Sequence, residues 1–450
     1  MPNNKTSPSK YISKKSESSD DSDSSDSSDL SDSSELSYSY NSDSDSSSNS
    51  GSGSDSDTGS DSSYEEDFKY EVFKNDFLVL YKLGSGAFST VWLTYQISKN
   101  DFFALKIQNH DCYDAGILEK NCLEVVSVFP TNCLIKLYES FEIEQDNKKY
   151  LCMVLELAID SAYYFLKKYR TDNKGYPQNI MNKLHNDVTE GLGFLHAHDL
   201  IHTDIKPENI LVCGADKRLK ILKEKLDEIK FKEVYDKQIE NYKKKFTFTN
   251  KKDKDKFRKG KREILLQIVN ELAKILNVKD IYDNLAYLDY SEEELLNCTF
   301  KLADLGTIHS YQQMQEDSRF PCIQTRYYRA PRVILRLPYD HKVDYWSLCA
   351  MYYELVEDKI MFNPHHTKAL TTDQVHLYYI TRWIGKPSDE ILNLVSFNKS
   401  KSSKNNYFDK DGNLTYNTDS IFDNDDDENK IDINKWHPDV LSFFKENLIW

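Results

Sequence analysis

Ten residues, HTDIKPENIL at positions 202 to 211, hold three side chains whose types and spacing suit one chemistry. Asp204 can accept a proton from a hydroxyl, Lys206 can neutralise a transferring phosphoryl group, and Asn209 offers an amide oxygen to a magnesium ion. The step of five from Asp204 to Asn209 is that of the pattern H-x-D-x-x-x-x-N. Further on, KLADLG supplies Asp304 as a second metal ligand, and TRYYRAP supplies Thr325, placed to bridge Asp204 and Lys206. Phosphoryl transfer calls for such a set because its transition state spreads negative charge over phosphate oxygens and needs positioning more than covalent help. A chance polar loop after a helix accounts for one of these spacings but not for all of them together.

Upstream, LGSGAFSTV spans Leu83, Gly84, Ser85, Gly86, Ala87, Phe88, Ser89, Thr90 and Val91. Gly84 and Gly86 let backbone N–H groups approach phosphate oxygens with no Cβ in the way. A glycine pair between strands is by itself only a hairpin signal. Its context adds weight: Val91 and Ala104 can roof an adenine, and Lys106 in ALKI can bind the α and β phosphates. A lysine in a buried strand needs an anion, and Glu119 in the following helix is favoured because Cys122 and Leu123 orient that face inward. Glu124 is the alternative, and spacing does not settle it. Asp344, in DYWSLCAMYYEL, reads as a helix N-cap.

These side chains must be held by two kinds of element. FLVLYKLGSGAFSTVWLTYQI, DFFALKIQN, LIKLYESFEIEQ and KYLCMVLEL are β-branched and aromatic runs that predict about five antiparallel strands. AGILEKNCLEVVSVF, between them, has helical spacing. SAYYFLKKYR and NIMNKLHNDVTEGLGFLHAHDL are helical, and helices dominate again from Val343 to Trp383. The order, strands first and helices after, predicts an α+β fold with a small antiparallel β lobe carrying one main helix and a larger helical lobe.

Composition divides the chain of 450 residues unevenly. Residues 1–67 are almost entirely Ser, Asp, Gly and Asn, with about 16 acidic against 4 basic side chains, and read as a disordered acidic tail. A Lys-rich spacer, about 214–298, interrupts the motif sequence; KILKEKLDEIKFKEVYDKQIENYKKKF and REILLQIVNELAKILN within it read as amphipathic helices, and KKKFTFTNKKDKDKFRKGKR reads as a solvated, charged insertion rather than a nuclear signal or RNA contact. A low-complexity loop occupies about 397–430. The tail carries about −12, residues 216–262 about +10 and the remainder about −14, which together make the net −16. The acidic body favours basic protein partners and argues against nucleic-acid binding. Eight cysteines stand singly without a CxxC pair, as in reduced cytosolic or nuclear proteins. No apolar run reaches the length of a membrane span, so no membrane association is expected. We expect a monomer inside a cell. High Asn, Lys, Ile and Tyr usage matches an AT-rich genome, a protist or a large DNA virus, and in the second case the setting is a host cell.

From about Phe77 to Phe362 the chain resembles the eukaryotic protein kinases, and within them the SR-protein kinases. The closer resemblance rests on GAFSTVWL, on Thr203 within TEGLGFLHAHDLIHTDIKPENIL, on the long spacer before DLG, and on IQTRYYRAP and CMVLEL. It implies a two-lobed kinase domain over 68–450, with an N-lobe of about 77–157 and a C-lobe of about 158–450. It also implies ATP and Mg2+ as cofactors, transfer to Ser/Thr hydroxyls, and substrates rich in Arg and Ser. Hinge contacts would fall at Glu156 and Leu157, with Leu155 as gatekeeper and Leu211 beneath the adenine. Kinases with Arg at position 203 use it to grip a phosphorylated activation loop; Thr cannot form that bidentate pair, so activity without loop phosphorylation is expected. Two features depart from the family. Arg332 stands where an acid normally pairs with a C-lobe Arg, and the end of the chain shows no evident final helix set. They support the alternative, a kinase-shaped scaffold acting by partner binding.

Overall fold

Side chains alternate across a strand, so runs that are apolar at every position are buried on both faces. That is the state of Phe77–Leu80 and Leu151–Leu155, the heart of the first lobe. The computed structural model describes residues 67–450 apart from 87, 130, 146, 170–174, 248–250, 285–289, 318, 368, 400–406 and 419–430. The expected disorder of the acidic tail therefore falls outside the described residues, except at Asp67.

The first lobe is a six-stranded antiparallel sheet in the order β1-β2-β3-β4-β6-β5. Its strands are β1 (Val72–Phe73), β2 (Phe77–Ser85), β3 (Ser89–Gln96), β4 (Asp101–Gln108), β5 (Leu137–Gln145) and β6 (Lys148–Leu155). Helix α1 (Tyr113–Val126) lies between β4 and β5. The extra strand over the expected five is β1, two residues long and too short to leave a periodic signal. One face gathers Phe77, Val79, Trp92, Leu105 and Ile107 around Phe68 and Tyr150. The other face is shared: α1 packs Cys122, Leu123 and Val126 near Leu151 and Met153, while Leu78, Leu80, Leu93 and Tyr95 face elsewhere.

What covers them is the spacer. Crossing into the second lobe are β7 (Asp160–Ser161), α2 (Ala162–Tyr169), α3 (Gln178–Ala197), β8 (Leu200–Ile201) and β9 (Ile210–Cys213). The spacer then forms α4 (Lys217–Glu228), α5 (Phe231–Lys243), α6 (Lys251–Leu276), α7 (Val278–Asn284) and α8 (Glu292–Leu296). Leu222, Leu226, Phe231, Leu265, Val269 and Leu272 are buried with the open face of β2 and β3 in one cluster. The stretches expected to be amphipathic helices are helical, and their Leu, Ile and Val at three- and four-residue steps form a stripe that covers the sheet, while most described lysines of 243–262 are exposed. Arg218 fixes the near end. It pairs with Asp216 at 2.9 Å, donates to the Ile159 carbonyl and lies 4.4 Å from the Tyr282 ring.

After the spacer come β10 (Thr299–Leu302), β11 (His309–Ser310), α9 (Tyr311–Glu316), α10 (Pro331–Ile334) and α11 (Lys342–Glu357). β10, β9 and β7 form a small sheet, and β8 pairs with β11. Helix α11 is buried on nearly every side, with Trp346 stacked on Phe362 at 5.7 Å. α12 (Thr372–Ile384) ends the helical region expected up to Trp383, and the missing final helices are a correction: α13 (Asp389–Lys399) and α14 (Pro438–Asn447) follow. α14 packs on α11 and α3, and Trp436 just before it donates to Glu357 at 2.8 Å. Polar runs between these helices hide them from the sequence pattern. The expected loop at 397–430 begins as the end of α13, and Phe408 within it is buried against Trp450.

Candidate active site

The site lies between the lobes, and each of its charged groups is held by a different element. Strand β4 carries Lys106 in register with Val91 on β3 and Met153 on β6. Its Nζ meets Glu119 Oε1 of α1 at 2.6 Å and Asp304 Oδ1 at 3.1 Å. Burial opposes the Lys106 charge, but the two carboxylates outweigh it and hold the ammonium above the usual lysine value. Burial likewise opposes the charge of Asp304, and Lys106 more than compensates, keeping that carboxyl below the usual aspartate value. The alternative, Glu124, is a surface residue paired with Lys120 at 2.9 Å. Glu119→Gln is expected to lose a charge-assisted bond of about 1.5–3 kcal/mol, hence about 10–100-fold in kcat/KM for phosphate transfer. Glu124→Gln should leave steady-state rates unchanged, and equal losses in both variants would contradict the pairing.

Below the cleft, the loop between β8 and β9 is fixed through its backbone. Asp344, fully buried, accepts the His202 N–H at 2.8 Å and the Thr203 N–H at 2.9 Å, and also His196 Nε2 at 2.8 Å. It is not the N-cap of α11, which is His341. His202 Nε2 reaches the Ala303 carbonyl at 3.0 Å, so the loop is tied to the strand end that presents Asp304. Thr203 is 1 % exposed and sits at φ 73°, a left-handed conformation unusual for a β-branched residue. Its hydroxyl donates to the Thr307 carbonyl at 2.6 Å, pinning the segment that follows Asp304.

With the backbone fixed, the side chains converge. Asp204 Oδ2 accepts Lys206 Nζ at 2.6 Å, and its Oδ1 accepts the Thr325 hydroxyl at 2.7 Å. Lys206 also reaches Thr325 Oγ1 at 3.3 Å. Asn209 donates its amide to the Asp204 carbonyl at 2.8 Å, which leaves its Oδ1 as a free-facing acceptor chemistry suited to a hard cation. Among the described residues no three His, Cys, Asp or Glu side chains cluster as a metal site. Asn209 and Asp304 fit magnesium all the same, since that ion keeps several waters and takes one or two protein oxygens plus phosphates. When bound, it would neutralise charge on the phosphates.

Leu83, Val91, Ala104, Leu157 and Leu211 join one apolar cluster, the walls expected for an adenine. Ser85, Gly84 and Gly86 are exposed at the mouth, and a Cβ at either glycine would meet nothing within 4 Å. Phe88 is exposed and Ser89 is buried beside it; Ala87 lies outside the described residues. Thr90 is a correction. Strand alternation turns its side chain to the far face, where it accepts Trp92 Nε1 at 2.9 Å, so only its backbone belongs to the loop. The Glu156 carboxylate also faces away, held by Lys301 Nζ at 2.7 Å, while its N–H donates to the Lys136 carbonyl at 2.9 Å.

Several side chains of the site were not singled out by the motifs. Gln324 donates to the Val343 carbonyl and to Ser347 Oγ, each at 2.7 Å, and accepts the Ala330 N–H at 2.8 Å. Arg329 caps the Gln324 carbonyl at 2.8 Å, and Arg326 pairs with Asp373. Arg332 has a partner of opposite sign to the expected one, Glu390 of α13 at 2.8 Å. Glu390 is 71 % exposed, so this is a surface pair of modest worth. The only signal available was the position of Gln324 beside TRYYRAP; the other partners are distant in sequence.

The chain matches the model of the protein kinase domain over residues 77–223 and 262–408. It is 27% identical over 422 residues to a protein of Acanthamoeba polyphaga mimivirus named as a serine/threonine-protein kinase, covering 74% of this chain and 75% of that one. It is 28% identical over 358 residues to the serine/threonine-protein kinase SRPK of Physarum polycephalum, covering 77% and 74%. A shorter stretch, 158 residues, is 32% identical to human SRSF protein kinase 3, covering 32% of this chain and 27% of that protein.

Proposed function

The chain belongs to the protein kinase family, and from that premise we propose that it transfers the γ-phosphate of ATP to serine and threonine hydroxyls of basic, Arg/Ser-rich proteins, with no need for phosphate on its activation segment. Its likeness to serine/threonine kinases, SRPK among them, supports the reaction class. In this reading Asp204 takes the hydroxyl proton, Lys206 and Lys106 neutralise the phosphates, Thr325 orients Asp204, and Asn209 with Asp304 hold Mg2+. The residues around Glu156 and Leu157 receive the adenine. The body, about −8 outside the tail and the spacer, favours basic substrates.

The observation that carries the regulatory part is the hold on Thr325. Gln324, Arg329 and Thr203 fix the activation segment through neutral and backbone contacts, and Thr325 thereby reaches Asp204 at 2.7 Å. These contacts support a segment held in place by the chain's own groups. Phosphatase-treated protein, assayed with radiolabelled ATP, should phosphorylate an Arg/Ser peptide within about twofold of the untreated rate. An Asp/Ser peptide of equal length should be at least about tenfold slower, a preference of roughly 1.4 kcal/mol. Protein that is inert until its activation segment is phosphorylated would overturn the regulatory claim; equal rates on both peptides would overturn the substrate claim.

A further inference from the structure

The hairpin of α5 and α6 carries an excess of lysines over acids. Lys243, Lys244, Lys252, Lys254, Lys256 and Lys259 are exposed and make no ion pair among the described residues. Lys252, Lys256 and Lys259 stand at i, i+4 and i+7, one face of α6, where like charges repel. Lys251, Lys252 and Lys254 also occupy the first turn, the positive end of the helix dipole, with Asp253 the acid there among the described side chains. The helix is not free to relieve this by moving away. Its second half is buried in the spacer cluster, and Phe257 in its first half stacks on Tyr242 at 5.6 Å.

Beside this face lies an open concavity of about 270 Å³ between β1 and α6, lined by Val72, Lys74, Asn75, Lys259 and Arg262. Three of the five lining residues are cations; Lys74 pairs with Glu139 and Arg262 with Glu71, while Lys259 makes no ion pair among the described residues. The acidic segment of this same chain joins the fold here. Asp67 leads within a few residues to Glu71, which pairs with Arg262 of α6 at 3.1 Å.

We propose that the acidic segment of residues 1–66 docks on the Lys252, Lys256 and Lys259 face of α6. Charge selects it: about 16 acids against 4 bases up to residue 67, opposed to a row of lysines that make no ion pair among the described residues. Reach permits it, because that row spans about 10 Å of helix, which a handful of extended residues covers. Tethering favours it over a free anion, since a short linker holds its cargo at an effective concentration on the order of millimolar. Added phosphates on the segment's Ser residues would tighten the contact. The site is remote from Asp204, and the inference does not depend on the proposed substrate.

The test uses the full chain throughout. Zero-length carbodiimide coupling, mapped by mass spectrometry in dilute solution, should join acids between Asp43 and Glu66 to Lys252, Lys256 or Lys259 of the same molecule. The yield should fall severalfold in 0.5 M salt and vanish in K252E/K256E/K259E, whose unchanged kcat shows that it is folded. Coupling that is absent, or found only between molecules, overturns the proposal. In a second arm a fluorescent oligothymidylate is the probe, added to the full chain and to a full chain with Asp43, Asp45, Asp55, Asp57, Asp61, Glu65 and Glu66 changed to their amides. Binding at least about tenfold tighter to the amide variant is expected because the face is uncovered. Equal binding overturns the proposal, and if it is tight in both it identifies the face as an open polyanion surface.

Discussion

Asp204→Asn is expected to lower kcat by about 10²–10⁴-fold, the usual contribution of a positioned general base, with little change in the KM for ATP. The substitution is nearly isosteric, and the loop around it is fixed by backbone bonds to Asp344 at 2.8 and 2.9 Å rather than by the Asp204 side chain. The fold should therefore persist, with a melting curve close to that of the parent. What is lost is the anion that receives the proton and holds Lys206 at 2.6 Å. An amide can still accept from Thr325 but cannot become a stable acid. Initial rates at saturating and limiting ATP separate the two parameters. A variant within threefold of the parent kcat would remove Asp204 from the chemistry.

The second large effect concerns a place far from any reacting atom. Leu265→Ala and Leu272→Ala each truncate a spacer side chain that is at most 3 % exposed against the first-lobe sheet. Each should cost about 2–5 kcal/mol of stability, lowering the melting temperature of the whole domain by roughly 5 °C or more. A spacer that merely hung from the C-lobe would melt by itself and leave the catalytic domain unchanged. Differential scanning calorimetry distinguishes these outcomes: one transition moving with the substitution, or two transitions of which only the minor one moves. Val234→Ala serves as control, because Val234 is 43 % exposed on the same helical hairpin.

The groups readable in the sequence are those whose chemistry demands fixed local spacing. Asp204, Lys206 and Asn209 lie within six residues of one another, so one short loop carries the information. Lys106 and Asp304 are flanked by apolar strand residues, which marks them as charges in unusual surroundings. The partners that hold them are another matter. Lys301 meets Glu156 across 145 residues and Arg332 meets Glu390 across 58, and nothing local in either segment specifies the other. Thr90 was misassigned for a simpler reason: a motif spans consecutive residues, whereas a strand sends alternate ones to opposite faces. The sheet face that the spacer helices cover was hidden by composition. The spacer's lysines dominate the count, while the Leu222, Leu226, Leu265, Val269 and Leu272 stripe that decides its packing is a small fraction of its length. Nor does Gln324 belong to any charged set, although a neutral amide with both ends bonded is a stiffer brace than a solvated ion pair.

Leu83 and Leu157 pack against both the apolar cluster of the cleft and the one beneath the spacer. These two side chains give the cleft in which we propose that nucleotide binds a packing surface shared with the inserted helices. Any ligand that tightens against them must stabilise the spacer by the same free energy with which an ordered spacer strengthens that ligand. An allosteric effector of this enzyme could therefore act from the insertion alone, changing affinity for nucleotide without approaching the cleft.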